Sequence, residues 1–587
     1  MKRQITFLVV AMLFSVASAL AQGGTTGPLT WNLNSGTLTI SGTGAMPDYN
    51  YGGAPWYEYR ESIGSIVMET GVATIGDYAF YGCSSLTSII IPNSVTTIGD
   101  YAFSYCTSLT SVTIPNSVTT IGDYAFSACT SMTSVTIPNS VTTIGGYAFH
   151  FCVSLTSVTI SNSVTTIGDY AFSYCTSLTA VTIPNSVTTI GDYAFQLCTS
   201  LTAVTIPNSV TWIGNGTFNS CTSLTSVTIS NSVTTIGMRA FYSCTSLTSV
   251  TIPNSVTTIG ESAFSECTSL TAIDVESGNN SYASENGVLF DKSKTILICC
   301  PAGKTTYIIP NSVITIGENA FLFCTILTTI TIPNSVTTIG GWAFYYCTSL
   351  TAVTIPNSVT TIGEGAFYYC TSLTLITNLN LVPIAIESNV FEEIDISKCT
   401  LTVATSAVSA YEKAEVWKDF KIVGGGFLVN PISGDSEQGY TIGDGLYGGR
   451  ATATIEAIAN SGYHFVNWTK NGAEVSRENP YNFTVTEDVE LVANFAEGVG
   501  IVETNNYQSV RVYPNPTSGE LQITNYELRT GTSTGSASNN YNIFNVTGQL
   551  ITEGRLQDEA TTINVESLAS GIYFLKIAEK AVKFVKE

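Results

Sequence analysis

The sequence TSLTSVTIPNSVTTIGDYAFSAC at residues 107–129 decides the fold, because near-copies of it follow one another at a fixed step of 23 residues. One cysteine per copy marks the period from Cys83 to Cys267, and Cys324, Cys347 and Cys370 resume it. Every one of these copies keeps a phenylalanine three residues before its cysteine. Chance does not produce such a pattern, so the chain contains a long array of similar units.

Each copy has the pattern of a short strand followed by a compact turn. Val112 and Ile114 alternate with polar residues, as expected for a strand with one buried face, and Pro115 ends that strand. Asp123 suits the N-cap of a single helical turn that ends at Cys129. The few large apolar side chains of one copy do not offset the entropy of ordering its backbone, so the copies must stack into a solenoid with a shared core.

The spacing of these residues resembles the BspA-like (Treponema-type) bacterial leucine-rich repeats over roughly residues 36 to 422. The residues that carry the resemblance in one copy are Leu109, Val112, Ile114, Pro115, Ser117, Val118, Ile121, Gly122, Ala125, Phe126 and Cys129. The resemblance implies a curved solenoid with parallel strands on its concave side. It also implies a surface adhesin or interaction protein.

The whole chain is predicted to be mainly β: a leucine-rich repeat solenoid of 23-residue coils followed by two small β domains. The predicted segments are a signal peptide at 1–21, an N-terminal solenoid cap at 22–70, the solenoid at 71–422, a β domain at 427–496, a linker at 497–510 and a sorting domain at 511–587. Within the solenoid, residues 274–310 read as a hairpin-like divergent coil, and residues 371–422 resemble a C-terminal cap.

The first residues and the composition point to export. A basic start at Lys2 and Arg3, an apolar run and the sequence Ala19-Leu20-Ala21 form the pattern of a secretory signal peptide. The alternative, a membrane anchor, is weaker because the run is too short to span a bilayer. No later segment is long and apolar enough, so the mature chain is predicted to have no transmembrane span.

Charge narrows the class of partner. The net charge is −22, whereas nucleic acid calls for a basic surface, so we expect no nucleic-acid partner. The two histidines, His150 and His464, leave little for histidine-based catalysis or a histidine-rich metal site. No cofactor and no metal are therefore predicted.

The cysteines repeat at one inward phase of the solenoid. Stacked side chains at one phase point in the same direction, which makes the torsion of a disulfide awkward to reach. Buried, reduced thiols are therefore the preferred interpretation, and a ladder of disulfides or metal sites is the alternative. Cys299 and Cys300 lie outside the ladder.

A stripe of hydroxyl residues is the candidate binding face, predicted on the outward positions of the first strand of each coil. Its members are Ser111, Thr113, Ser134, Thr136, Ser157, Thr159, Thr182, Thr205, Ser226, Thr228, Ser249 and Thr251. From residue 71 to 273 the one basic residue is Arg239, so the stripe is nearly uncharged. It reads either as a solvated, threonine-rich strand face or as a surface for a glycan or a protein. Regular threonine arrays also suggest ice binding, although the predicted curvature counts against it.

Two further stripes lie in the turn. The acidic one comprises Asp77, Asp100, Asp123, Asp169, Asp192, Glu261, Glu318 and Glu364, and the tyrosines Tyr78, Tyr101, Tyr124, Tyr147, Tyr170 and Tyr193 each follow an acidic position or its equivalent. Capping of the helical turns explains the acids; a row of Ca²⁺ sites is the alternative, but each position offers one carboxylate. Stacked rings that cover the turn explain the tyrosines, and a ligand-binding stripe is the alternative.

The segment at 427–496 resembles an internalin-type B-repeat domain on the stretches Ser461–Trp468, Tyr481–Val485 and Leu491–Phe495. The resemblance implies a small β spacer or presentation module. Trp468 is predicted to be a core residue rather than a ligand platform. Gly424-Gly425-Gly426 is predicted to be a hinge.

Residues 511–587 resemble a type IX secretion C-terminal sorting domain, and short alternating runs predict a small β-sandwich. The motif residues are Tyr513, Pro514, Asn515, Pro516, Gly519, Gly548, Gly571, Ile572 and Tyr573. The resemblance implies recognition by outer-membrane type IX export machinery, removal by a sortase-like peptidase, and a location on the outer surface of a Gram-negative bacterium or in the medium, reached through the periplasm.

The predicted function is non-enzymatic adhesion or binding of host or microbial surface proteins or glycans. Near-identical coils supply no unique group of polar residues, whereas an active site needs different residues that converge. A secreted carbohydrate-active or proteolytic enzyme whose repeats dock substrate is the second hypothesis, and an ice-binding array is the third.

Overall fold

The computed structural model describes residues 22–497, 511–513, 520–524, 540–545, 550–555, 561–569, 571–577 and 580–586. The predicted signal peptide lies outside these residues. The chain divides into two compact units, Met1–Ala496 and Glu497–Glu587. The first unit contains a β-solenoid of about 16 turns, which confirms the predicted solenoid.

Short parallel sheets run along two sides of the solenoid, because each coil places one short strand on each side. We call the side that holds the first strand of each coil the strand face. The strand-face sheets carry Ser65–Met68, Ser88–Ile90, Ser111–Val112, Ser134–Thr136, Ser157–Thr159, Ala180–Val181, Ala203–Thr205, Ser226–Thr228, Ser249–Ile252, Ala272–Val275, Thr306–Ile308, Thr329–Thr331, Ala352–Ile355, Leu375–Asn378, Thr400–Val403 and Lys421–Gly424. The second sheets carry Gly44–Ala45, Val72–Ile75, Thr97–Ile98, Thr120–Ile121, Thr143–Ile144, Thr166–Ile167, Thr189–Ile190, Trp212–Ile213, Thr235–Ile236, Thr258–Ile259, Thr315–Ile316, Thr338–Ile339 and Thr361–Ile362. At the start, Gln22–Thr26, Leu29–Asn34 and Thr37–Gly42 form an antiparallel sheet that joins the first coil.

The core repeats with the sequence. Leu109, Val118, Ile121, Phe126 and Cys129 are all buried, as their phase predicts. The phenylalanine rings stack from coil to coil with centroids 5.2–5.6 Å apart in the run from Phe80 to Phe264. A coil therefore buries its apolar side chains mainly against its neighbours, which is why the units stack.

The predicted helical turn is wrong. The segment from Asp123 to Cys129 is a series of turns with left-handed backbone at Tyr124 (φ 56°) and Ala128 (φ 57°), which an α-helix cannot contain. Its backbone N–H groups bond to the next coil instead: Tyr124 N donates to Gly146 O at 2.8 Å and Phe126 N to Ala148 O at 2.8 Å. Coil-to-coil bonding therefore replaces the intrahelical bonds that the sequence suggested.

The predicted hairpin-like divergent coil is confirmed. Tyr282–Glu285 pairs antiparallel with Val288–Asp291, which pairs antiparallel with Ile296–Cys299. The last of these strands then continues in parallel with Thr315–Ile316, so the hairpin leads back into the solenoid. Asn319 Nδ2 donates to Glu261 Oε1 at 3.0 Å across this coil, because the coil lacks the outer turn of its neighbours.

Short helices lie near both ends of the solenoid, and buried aromatic side chains cover its C-terminal end. The helices are the 3₁₀ segments Tyr57–Ser62 near the start and Ile396–Lys398, Thr405–Ala407 and Trp417–Asp419 near the end, with one α-helical turn at Val408–Tyr411. Tyr411 and Trp417 are buried. Their polar atoms are satisfied, since Tyr411 Oη donates to Asn380 O at 3.0 Å and Trp417 Nε1 donates to Ile384 O at 2.7 Å.

The segment after the solenoid forms two further sheets. One contains Phe427–Ser433, Gly445–Tyr447, Tyr463–Lys470, Ala473–Ser476 and Val489–Glu497, and the other contains Gly439–Ile442, Thr452–Ala459 and Tyr481–Thr484. Trp468 is buried in the core between them and its Nε1 donates to Glu478 O at 3.2 Å, which confirms the predicted core tryptophan.

The three glycines at 424–426 are a fixed junction, so the predicted hinge is wrong. Gly424 ends a solenoid strand, and Gly425 N donates to Val403 O at 2.8 Å. Gly426 has φ +112°, and a Cβ there would lie 2.2 Å from Tyr447 O. The glycines are therefore needed for close backbone contact between the solenoid and the following sheets.

The second unit has antiparallel strands in two sheets. One contains Arg511–Tyr513, Glu520–Thr524 and Thr561–Asn564, and the other contains Asn540–Asn545, Leu550–Arg555, Gly571–Ile577 and Lys580–Lys586. Of the predicted sorting motif, Tyr513, Gly571, Ile572 and Tyr573 lie on these strands. Pro514, Asn515, Pro516, Gly519 and Gly548 lie outside the described residues.

Candidate binding face

Strand register places the predicted hydroxyl residues in straight rows. Ser134 aligns with Ser111 and Ser157, and Thr136 aligns with Thr159. All twelve predicted residues are exposed, because the intervening valines point into the core. Ala180 and Ala203 interrupt the serine row. The hydroxyls therefore form two parallel rows at the spacing of neighbouring strands, about 4.8 Å.

These hydroxyls differ from those of the threonines that join neighbouring coils. Thr156 Oγ1 donates to Thr133 O at 3.0 Å, and Thr165 Oγ1 donates to Thr142 O at 3.1 Å, so those side chains join one coil to the next. Within the residues that the structure describes, none of the twelve face hydroxyls has a hydrogen-bond partner. The face hydroxyls therefore remain available to a ligand.

Asparagines extend the face beyond the predicted residues. A depression of about 600 Å³ is lined by Thr113, Thr136 and Thr159 together with Asn116, Asn139 and Asn162. Asn116 and Asn139 follow the proline that ends their strand, whereas Asn162 follows Ser161. Their presence beside the threonine row adds amide donors and acceptors to a surface of hydroxyl groups.

The threonine row has defined ends. Ile90 aligns with Thr113 and is 68% exposed, and Asp274 aligns with Thr251 at the other end. An exposed isoleucine and a carboxylate replace the hydroxyl at these positions, so the uncharged hydroxyl face spans the coils from Thr113 to Thr251.

The acidic row joins the coils rather than capping helices. Asp100 Oδ1 accepts from Asp123 N at 2.7 Å, and Asp123 Oδ1 accepts from Gly146 N at 2.6 Å. Asn215 continues the row, since its Oδ1 accepts from Met238 N at 3.0 Å. Each of these acceptors serves the equivalent backbone N–H of the next coil, so capping of its own turn is replaced by capping of the neighbour.

The tyrosine row is a closed stack, as predicted. The rings from Tyr78 to Tyr193 lie face to face with centroids 4.4–4.8 Å apart and planes within 12°. Burial within this stack raises the pKa of Tyr101 to about 12. The stack ends at Gly216, where a Cβ would lie 2.2 Å from the ring of Tyr193. Ring faces that pack on each other are closed to a ligand.

The cysteine row is buried. Ten thiols of the ladder donate to the carbonyl of the phenylalanine 26 residues earlier, at 3.1–3.3 Å; two examples are Cys106 to Phe80 O and Cys129 to Phe103 O. Burial raises the pKa of Cys152 to about 12. The described residues include no group of three or more histidine, cysteine or acidic side chains placed to hold a metal ion.

Three parts of the chain match known families. Residues 54–179, 166–295 and 300–413 match the BspA type leucine-rich repeat region, in six copies. Residues 433–499 match the divergent InlB B-repeat domain, and residues 511–587 match the secretion system C-terminal sorting domain. These matches confirm the three resemblances seen in the sequence.

Solved structures similar to the chain are bacterial repeat proteins. A leucine-rich cell surface protein from Faecalibacterium prausnitzii is 29% identical, with 70% of this chain and 96% of that chain covered and a TM-score of 0.44. A leucine-rich repeat protein from Bacteroides ovatus is 26% identical, with 68% and 99% covered and a TM-score of 0.44. The pneumococcal vaccine antigen PcpA is 20% identical, with 69% and 99% covered and a TM-score of 0.37. None of the curated proteins matches the chain.

The C-terminal match indicates how the protein leaves the cell. A sorting domain of this kind directs export by the type IX system to the cell surface or the medium in Gram-negative bacteria. In the described part of the chain, no helix combines the length and apolarity needed to cross a membrane. The repeat match covers more than half of the residues, and the chain therefore belongs to the BspA-type leucine-rich repeat family.

Proposed function

We propose that the protein is a non-enzymatic adhesion or binding protein whose hydroxyl face contacts surface proteins or glycans of a host or of other microbes. One observation carries the proposal: twelve exposed hydroxyls lie in two registered rows and make no hydrogen bond to the described part of the chain. Hydroxyls that stabilised the coil would bond to it, as those of Thr156 and Thr165 do. A repetitive, uncharged face fits a repetitive, neutral partner surface.

The sorting domain supports the part of the proposal that places the solenoid outside the cell. The export machinery of the outer membrane recognises residues 511–587, and a sortase-like peptidase then removes them, which leaves the solenoid anchored at the surface or released. The proposal thus combines an exported carrier segment with a binding array.

Paired substitutions test the binding face. The double variant Thr136→Lys and Thr159→Lys places two long side chains in the 600 Å³ depression. Its matched control is Thr120→Lys and Thr143→Lys, which puts the same side chains on exposed, neighbouring positions of the second sheet in the coils of Thr113 and Thr136. Binding to arrays of extracellular-matrix proteins and glycans is expected to fall about tenfold, or about 1.4 kcal/mol, in the first variant only. Equal binding by both variants would refute the role of the hydroxyl face in binding.

A further inference from the structure

The outer turn carries a second, variable row of side chains. Two residues stand directly before each ladder cysteine, and they change from coil to coil while the rest of the repeat is nearly constant. The pairs include Ser104-Tyr105, Ser127-Ala128, His150-Phe151, Ser173-Tyr174, Gln196-Leu197, Leu322-Phe323, Tyr345-Tyr346 and Tyr368-Tyr369. The two coils that end at Cys347 and Cys370 place four tyrosines side by side, Tyr345, Tyr346, Tyr368 and Tyr369, which we name the tyrosine quartet.

The backbone does not favour large side chains in this row. The second residue of each pair is left-handed, with φ 62° at Tyr346 and 59° at Tyr369. Glycine adopts this conformation without a steric penalty, and Gly82 fills the equivalent position in the first coil with φ 71°. Aromatic rings stand there against the local preference of the backbone, and the same left-handed φ at the equivalent residues of other coils shows that the conformation belongs to the repeat itself.

Packing does not close the quartet. The rings of Tyr346 and Tyr369 lie 4.9 Å apart but tilt by 36°, and those of Tyr368 and Tyr369 lie 5.0 Å apart and tilt by 52°. Tyr345 and Tyr368 are stacked, with centroids 5.5 Å apart and planes at 22°. All four side chains are half-buried, with the remainder facing solvent. In the part of the chain that the structure describes, their four hydroxyls have no hydrogen-bond partner. The parallel stack from Tyr78 to Tyr193 is closed by comparison.

Two neighbouring rings enlarge the surface. Trp342 lies 5.5 Å from Tyr345 and 5.6 Å from Tyr368, and Phe323 lies 5.1 Å from Tyr346, all measured between ring centroids. Six aromatic side chains from three adjacent coils therefore meet at one place on the turn side, which is a different side of the coil from the hydroxyl face.

Charge restricts the class of ligand. Residues 305–397 contain no lysine or arginine. Glu392 and Glu393 lie in the adjoining turn, where Tyr369 N donates to Glu392 O at 3.1 Å, and the charge of Glu393 raises the pKa of Tyr369. Anionic ligands would be repelled. A ligand that fits has apolar faces for the rings and hydroxyl donors for the phenol oxygens and carboxylates.

We propose that the tyrosine quartet, with Trp342 and Phe323, is a binding site for a neutral polysaccharide. Sugar rings present C–H faces to the aromatic rings, and their hydroxyls bond to the free phenol groups and to Glu392 and Glu393. The site is independent of the hydroxyl face and adds a second point of attachment to the solenoid.

Glycine substitutions test the site because they remove the aromatic rings while glycine still adopts the left-handed backbone of these positions. The chain from Gln22 onward is compared with its Tyr346→Gly and Tyr369→Gly double variant by affinity electrophoresis in soluble neutral β-glucan, xylan and mannan. The affinity of the double variant for the polysaccharide is expected to be about tenfold lower. Its Tm should be unchanged or higher, because glycine relieves the left-handed strain. The Tyr345→Phe and Tyr368→Phe pair keeps the rings and should weaken binding by a smaller factor at unchanged Tm.

Several results would overturn the site. These are failure of the wild-type chain to bind any of the neutral polysaccharides, unchanged binding by the glycine variant, or a fall in Tm of the glycine variant. The Thr136→Lys and Thr159→Lys variant should retain polysaccharide binding, so failure of the hydroxyl face and failure of the quartet are separate outcomes.

Discussion

At the residue scale, the glycine of each repeat is required by the neighbouring coil. A Cβ on Gly122 would lie 2.4 Å from Asp100 Oδ1 and 2.7 Å from Gly99 C. We expect Gly122→Ala to lower the free energy of unfolding by about 1–3 kcal/mol, because backbone and side chain must move apart. Urea denaturation measures this. Gly448→Ala is the control, since a Cβ there meets nothing within 4 Å, and an equal loss in both variants would contradict the prediction.

Asp77 gives the acidic row a pH dependence. Burial, and next the charges of Asp48 and Asp100, raise its pKa above 3.8, although Oδ1 accepts from Asp100 N at 2.7 Å. A raised carboxyl pKa contributes stability that is present below the ordinary pKa and lost as pH rises through the folded one. Asp77→Asn keeps the acceptor oxygen, as the natural Asn215 does.

The variant is therefore expected to match the wild type at pH 3 and to be more stable at pH 7. Urea midpoints measured from pH 3 to pH 7 check this expectation. A gain that is larger at pH 3 than at pH 7 would show that the carboxylate charge is not the cause.

The reactivity of the repeat cysteines tests whether they are reduced thiols or disulfides. Burial raises the pKa of Cys152 and Cys370 to about 12, so these groups are protonated and unreactive at pH 8. We expect Ellman's reagent to label ladder thiols only as the chain unfolds, and denatured protein to show free thiols along the whole ladder. Few free thiols after denaturation without reductant would favour the disulfide alternative.

At the scale of elements, one coil is the exchangeable unit. Residues 130–152 comprise one full period, and their removal would join Cys129 to Val153 with every stacked position still matched to an equivalent one. We expect this deletion to fold with a slightly lower Tm, because one set of neighbour contacts is lost. Removal of residues 130–141 instead shifts the phase of all later coils. Circular dichroism and thermal melts of both deletions check the prediction, and equal stability would contradict it.

At the scale of the whole molecule, export depends on the last 77 residues matched to the sorting domain, 511–587. Deletion of this segment is expected to retain the protein in the periplasm, because the outer-membrane machinery no longer recognises it. Fractionation and surface labelling of cells that express the full and the truncated chain measure the outcome. Unchanged surface exposure of the truncated chain would refute this role.

The inward and outward phases of the repeat could be predicted from the sequence. Val112 is buried and Thr113 exposed because alternation in a strand is a local property of the backbone. The helical turn at Asp123 and the hinge at Gly424 could not be judged locally. In both places the deciding hydrogen bonds and close contacts come from another coil or from the following sheets, and a single repeat contains no information about them.

The sequence by itself determined the period, the solenoid, the family and the export segment, because periodicity and motif order are properties of the chain alone. Only the tertiary structure decided which hydroxyls donate a hydrogen bond to the neighbouring coil, as that of Thr156 does, and which have no partner in the described part of the chain, as that of Thr136 has none. It also decided that the tyrosines from Tyr78 close on one another while Tyr346 and Tyr369 stay open. The physical reason is that both outcomes depend on the orientation of side chains between neighbouring coils, and identical residue types adopt different roles according to what stacks beside them.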